Sequence, residues 1–123
     1  MARQTWVFIN SSPEGFQIGV ALLFQARGYR VIGCDEAPDG LILVLRRGQA
    51  LHVAYCLRSL LAVSSVDTAA CRQATERYVA AHRYVVTRSS FLPGAVIEAW
   101  TAGTELVDGA TLHEWLKMRE RMV

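Results

Sequence analysis

Apolar positions in the N-terminal part of the chain recur at helical spacing, at Phe16, Val20 and Leu23, and predict a helix with one buried face. It starts after Ser11 or Ser12, either of which can cap it, and Pro13 suits the first turn, where its missing N–H costs nothing. It runs to about Ala26, and Gly28 ends it by adopting positive φ. A short apolar segment, Trp6-Val7-Phe8-Ile9, precedes this helix. Tyr29 to Gly33 alternates as a strand does, and Ala37-Pro38-Asp39-Gly40 reads as a turn. Leu41 to Leu45 is an unbroken apolar run of strand length, which predicts a strand buried on both faces. Arg46-Arg47-Gly48-Gln49 reverses the chain, and Leu51 to Leu57 returns as the partner strand. Ser64 or Ser65 caps a helix from about Val66 to Ala81, with Ala70, Ala74 and Tyr78 on its inner stripe. Tyr84 to Thr87 is a further strand, Pro93 opens a helix, and Glu105 to Val107 is a last short strand. Asp108 caps a closing helix that carries Leu112, Trp115 and Leu116. Trp6, Trp100 and Trp115 all lie within apolar stripes and read as core. The alternation of helices with strands and one hairpin indicates an α/β sandwich over a mixed sheet.

At 123 residues the chain is long enough for one domain, residues 1–123, and too short for two. It is 52% apolar and 20% charged, as a packed globular protein is. A net charge of +2 gives little support for binding a polyanion, but twelve of the thirteen basic residues are Arg, the exception being Lys117. Arg presents a planar fork that bonds two phosphate oxygens at once, although compositional bias in a GC-rich genome produces the same skew. Cys34, Cys56 and Cys71 form no CxxC pair and are odd in number, which argues for reduced thiols in a cytoplasmic protein. His52, His82 and His113 are scattered singly, without the spacing of zinc ligands. No secretory signal is visible at Met1 to Thr5, and the apolar run Ile18 to Phe24 is too short to span a bilayer, so no membrane is expected.

From Phe16 to Leu116 the order of segments resembles the Mrr-type restriction endonuclease domain, a branch of the PD-(D/E)XK nuclease superfamily. Val85-Val86-Thr87, Ser90-Phe91, Ala95, Leu106-Val107-Asp108-Gly109 and Leu112 follow the family's strand, serine-rich loop, helix and closing segment. Phe16, Leu22-Leu23, Gly28-Tyr29 and the Asp39-Gly40 turn agree in the first half, which gives a family-like region of about residues 14–118. The resemblance implies a restriction-endonuclease-like three-layer sandwich, with a mixed sheet of about five strands flanked by helices. It also implies DNA cleavage with Mg²⁺, held by an Asp on one strand and a Glu or Gln on the next, with a Lys two residues later.

The essential positions carry other residues. The Glu that often follows the first-helix Phe falls at Gln17, the metal-binding Asp at Leu43, the Glu or Gln at Ala54 and the Lys at Cys56. Carboxylates hold the metal, the metal activates water and the Lys steadies the charged transition state, so losing all four removes the chemistry. Asp35, Glu36 and Asp39 before the second strand offer a relocated set, but a solvated Asp-Gly turn is the favoured account of them. Arg58 is a stand-in for the Lys or a surface residue, and Cys56 reads as a small buried hydrophobe. The resembled fold places loops at one end of the sheet against a duplex, which makes Arg72, Arg77, Arg88, Ser89 and Ser90 the DNA-binding candidates. The expectation is a catalytically inactive domain that binds DNA or serves as an accessory module, with no metal and no cofactor. The alternatives are an interaction or structural domain that engages another protein or a second copy of itself, and a divergent Mg²⁺-dependent endonuclease with relocated ligands. DNA binding, if retained, is expected to be weak and independent of sequence.

Overall fold

The computed structural model describes residues 12–122, so Arg3 and the Trp6 to Ile9 segment lie outside the described residues. Ser12 is the residue that caps the first helix: its hydroxyl accepts from the Gly15 N–H at 3.0 Å. That helix, α1 (Pro13–Ala26), buries Phe16, Val20, Leu23 and Phe24 and passes through Arg27 to Gly28, whose φ is 92°. β1 (Arg30–Ala37) is longer than the alternation predicts, because it pairs antiparallel with β2 (Gly40–Arg47) from Arg30↔Arg46 to Ala37↔Gly40. A register shift between Val31 and Gly33 leaves Ile32 as an extra residue, the bulge that an edge strand commonly uses to spoil unwanted pairing. Asp39 turns the chain at φ 55°, and Gly40 is obligatory because a Cβ there would collide with the Cys56 carbonyl oxygen. Arg46 and Arg47 belong to β2 rather than to the turn, which is confined to Gly48-Gln49, with Gly48 at φ 62°.

β3 (Ala50–Leu57) pairs antiparallel with β2. α2 (Ser65–Thr75) starts at Ser64 through a reciprocal capping box with Asp67. It stops well short of Ala81. The Thr75 hydroxyl donates to the Arg72 and Cys71 carbonyls at 2.9 and 3.2 Å, and the next bonds, Glu76 N–H to Gln73 and Tyr78 N–H to Thr75, span three residues and tighten the last turn. The buried stripe of α2 is Thr68, Cys71 and Thr75; Ala74 and Tyr78 pack partly, and Ala70 is exposed. β4 (His82–Val86) lies parallel to β3, α3 (Pro93–Ala102) follows, and β5 (Thr104–Val107) lies parallel to β4. α4 (Gly109–Met122) begins at Asp108, whose carboxylate accepts from the Thr111 N–H at 2.8 Å.

The sheet order is β1-β2-β3-β4-β5, antiparallel in its first three strands and parallel in the rest. On one face α1 and α4 cover Leu43, Leu45, Ala54, Cys56, Tyr84 and Val86; the other face buries Ile42, Val53, Tyr55, Leu57 and Val85, with Cys71 of α2 packed on it. The result is the expected helix–sheet–helix sandwich, with the Leu41 to Leu45 run divided between both faces. Trp100 departs from expectation: it is 87% exposed, because α3 buries only Ala95 and Ala99, four residues apart, and the next position points outward. Trp115 is partly buried against Phe24, ring to ring at 5.4 Å. Among the described residues no helix is long and apolar enough to cross a membrane.

Candidate functional site

The β2–β3 register sets Leu43 directly opposite Ala54, and Cys56 follows two residues on, on the same face. All three are buried under α1, with Phe16 in the same cluster. Gln17, partly buried on α1, joins Leu43, Ile18, Ala21, Val31 and Leu41 around an open concavity of about 640 Å³. The fold thus brings the four positions close together; Leu43, Ala54 and Cys56 offer no oxygen ligand from their side chains, while Glu14, Cys34 and Glu36 rim the same concavity. Burial pushes the Cys56 thiol well above its ordinary range, so it stays neutral and offers its sulfur only weakly, at 3.9 Å from the Ala54 carbonyl. The Gln17 side-chain nitrogen is buried without a hydrogen-bond partner.

These residues do not fit Mg²⁺, which needs oxygen donors in octahedral array. Nor do the described residues contain any group of three or more His, Cys, Asp and Glu side chains able to hold a metal. Two of the three acidic residues near the first turn, Asp35 and Glu36, have other side-chain partners. Asp35 accepts from the Tyr78 hydroxyl and lies 3.6 Å from Arg77, and Glu36 pairs with Arg58 at 3.2 Å. Arg58 also anchors the turn, since its backbone N–H donates to the Asp39 carbonyl at 2.8 Å.

The five DNA-binding candidates divide into two places. Arg72 lies on α2 between Glu98 at 3.1 Å and Glu76 at 3.3 Å, and Arg77 lies over the Tyr78 ring beside Asp35. Arg88 sits on the other side of the sheet, 5.1 Å over the Phe16 ring, with a long bond of 3.5 Å to the Arg58 carbonyl. Ser89 and Ser90 tie the loop down through their backbones: the Ser89 carbonyl accepts from Gly109 N–H at 3.0 Å, and that of Ser90 from Val63 N–H at 2.9 Å.

A second polar region occupies the opposite end of the sheet. The Tyr29 and Tyr84 hydroxyls meet at 2.6 Å, and the His52 ring stands edge-on to Tyr29 at 5.1 Å. Burial, together with His82 and Arg47, holds the His52 imidazole below its ordinary pKa. Arg27, Arg47 and Arg119 surround a hollow of about 290 Å³ whose wall includes Trp115 and Met118. The sequence pattern shows Arg27, Arg30, Arg46 and Arg47 only as two separate pairs. Antiparallel pairing of β1 with β2 joins them by setting Arg30 across from Arg46.

A family model described as a restriction endonuclease, of the Mrr catalytic type, matches residues 9–116. Three solved structures share the fold. The DNA modification-dependent restriction endonuclease AspBHI is 16% identical, with 99% of this chain and 35% of that one aligned at a TM-score of 0.62. MspJI, solved in complex with a 27-mer oligonucleotide, is 18% identical over 98% of this chain and 31% of its own, at 0.61. A protein of unknown function is 16% identical over 77% and 61%, at 0.63. The chain therefore spans about a third of the length of the two restriction endonucleases. No curated protein matches it in sequence.

Proposed function

Because the chain belongs to the Mrr-type restriction endonuclease family, we propose that it is a catalytically silent member that binds nucleic acid weakly or serves as an accessory module. The observation that carries this reading is the Leu43–Ala54 pair with Cys56 beside it, packed as hydrocarbon beneath α1. Replacing a ligating carboxylate with a buried Leu removes the charge and fills its space, and a neutral buried thiol does not steady a phosphoryl transition state. DNA is the natural partner class for a chain of this fold, and contacts to phosphate alone make binding independent of sequence. A cytoplasmic setting with reduced thiols and no cofactor belongs to the same proposal.

The test has two arms. Purified protein is incubated with supercoiled, linear and methylated DNA in Mg²⁺ and in Mn²⁺; no nicking above background is expected. Nicking that disappears in Asp39→Ala would establish a relocated, metal-dependent site and overturn the reading. In the second arm, duplex DNA is titrated at low salt, with dissociation constants on the order of 10⁻⁴–10⁻⁶ M expected near physiological salt.

The exposed apolar side chains of α3, Val96, Ile97 and Trp100, favour a second reading as a protein-interaction domain. Absence of any nucleic-acid binding at low salt would select it.

A further inference from the structure

Resting on the nucleic-acid reading, we propose that the phosphate-binding surface is the arginine group at the far end of the sheet, around the Trp115 hollow, remote from the old catalytic corner. Three observations support it. The first is charge segregation. Arg58, Arg72 and Arg77 are each paired with a carboxylate. Among the described residues, Arg27, Arg30, Arg46 and Arg47 have no carboxylate within ion-pair distance, and all four are exposed. A net charge of +2 therefore conceals a locally cationic end.

The second is preorganisation. The Arg27 guanidinium lies 4.3 Å over the Trp115 ring, and that of Arg47 lies 5.2 Å over Tyr29. Packing on an aromatic face holds a guanidinium in position, Arg47 also donating weakly to the Tyr29 hydroxyl at 3.5 Å, while other N–H groups stay available to an anion. The Tyr29 ring is itself fixed by the Tyr84 hydroxyl at 2.6 Å and by Phe24 at 5.4 Å. The third is extent. Arg47 follows Leu45 onto the α1 side of β2, whereas Arg46 and its partner Arg30 point to the opposite side. The five arginines, Arg119 included, thus surround the open end of the β1–β2 ladder, beside the β2–β3 turn, as a run of phosphates requires and a single small anion does not. The hollow, about 290 Å³, is at the small end for ligand pockets and suits a phosphodiester rather than a bound nucleoside.

The experiment measures binding of a fluorescent DNA duplex against salt for the parent, for Arg46→Glu/Arg47→Glu and for the milder Arg30→Gln/Arg46→Gln, with thermal melts to confirm folding. Each lost phosphate contact lowers the slope of log K against log salt by about 0.9, so either double variant should flatten it by about 1.8. Unchanged slope and affinity in both variants, with loss in Arg88→Glu instead, would overturn the proposal while leaving DNA binding intact. No binding by the parent would overturn the underlying reading. Inorganic phosphate competing as well as an equal concentration of duplex phosphates would reduce the site to a single-anion pocket, and polyglutamate binding without DNA binding would assign it to an acidic protein. Either result overturns the nucleic-acid assignment.

Discussion

Leu43 shows at one residue how far side-chain identity decides the chemistry of a fold. Its branched side chain faces Ala54 and lines the same concavity as Gln17, Glu14 and Glu36, where a further carboxylate would be half-sunk among apolar groups and close to like charges. Leu43→Asp is expected to cost about 2–5 kcal/mol at pH 7, read from urea unfolding, because an unpaired charge is placed among apolar groups. The loss should shrink as the pH falls and reach its minimum below about 3, where the new carboxyl is neutral in both folded and unfolded chains. A parent-like curve at neutral pH would mean that the concavity hydrates the charge. The cysteines give an independent check: Cys34 is exposed, whereas Cys56 and Cys71 are buried with thiols pushed upward, Cys71 to about 12. A thiol reagent should titrate one group in the native protein and release two more only on denaturation. The strand placement of Leu43, Ala54 and Cys56 was legible because each lies in an apolar run of strand length. The exposure of Trp100 was not, because an apolar run in a helix does not reveal which of its sides has a neighbour.

Elements were easier to start than to stop. Among the described residues every helix start has a local cause visible in sequence, a capping side chain or a proline: Ser12 with Pro13, Ser64 with Asp67, Pro93 and Asp108. Removing the α2 cap with Ser64→Ala should cost about 1 kcal/mol in equilibrium unfolding, since two reciprocal bonds close an otherwise unsatisfied turn. An unchanged midpoint would mean that packing of Cys71 and Thr75 alone fixes the helix. Its early end was missed because the hydrophobic spacing continues through Ala74 and Tyr78, while the stop depends on Thr75 bonding back to carbonyls. β1 was read short for the opposite reason. Its last residues, Cys34 to Glu36, are exposed, and ladder pairing rather than burial makes them a strand. The far-end arginines went unread because pairing between strands, not proximity in sequence, assembles them.

For the whole molecule, a half-buried imidazole and the buried thiols should tilt the pH dependence of stability in opposite directions. His52 has a lowered pKa when folded, so the unfolded chain binds the proton more readily and stability falls as the pH drops below about 6.5, by a modest amount for a partly exposed ring. Cys56 has a raised one, so the unfolded chain ionises first and stability falls as the pH rises above its ordinary value of 9.0. Thermal melts from pH 4 to 11 should show both limbs. His52→Gln should flatten part of the acid side and Cys56→Ala part of the alkaline side, to which Cys71 also contributes; limbs unaltered by these changes would assign them to other groups. The division of the sheet has a further effect, in time rather than in energy. β1, β2 and β3 are joined by turns of two residues, whereas β3 ends at Leu57 and β4 begins only at His82. Closing short loops is faster than closing long ones, so the antiparallel half is expected to form before β4 joins it. The parallel strands are then added one after another to the standing edge of β3. A side chain at Gly40, which would strike the Cys56 carbonyl, therefore delays every later step, whereas a fault in β5 slows only the last.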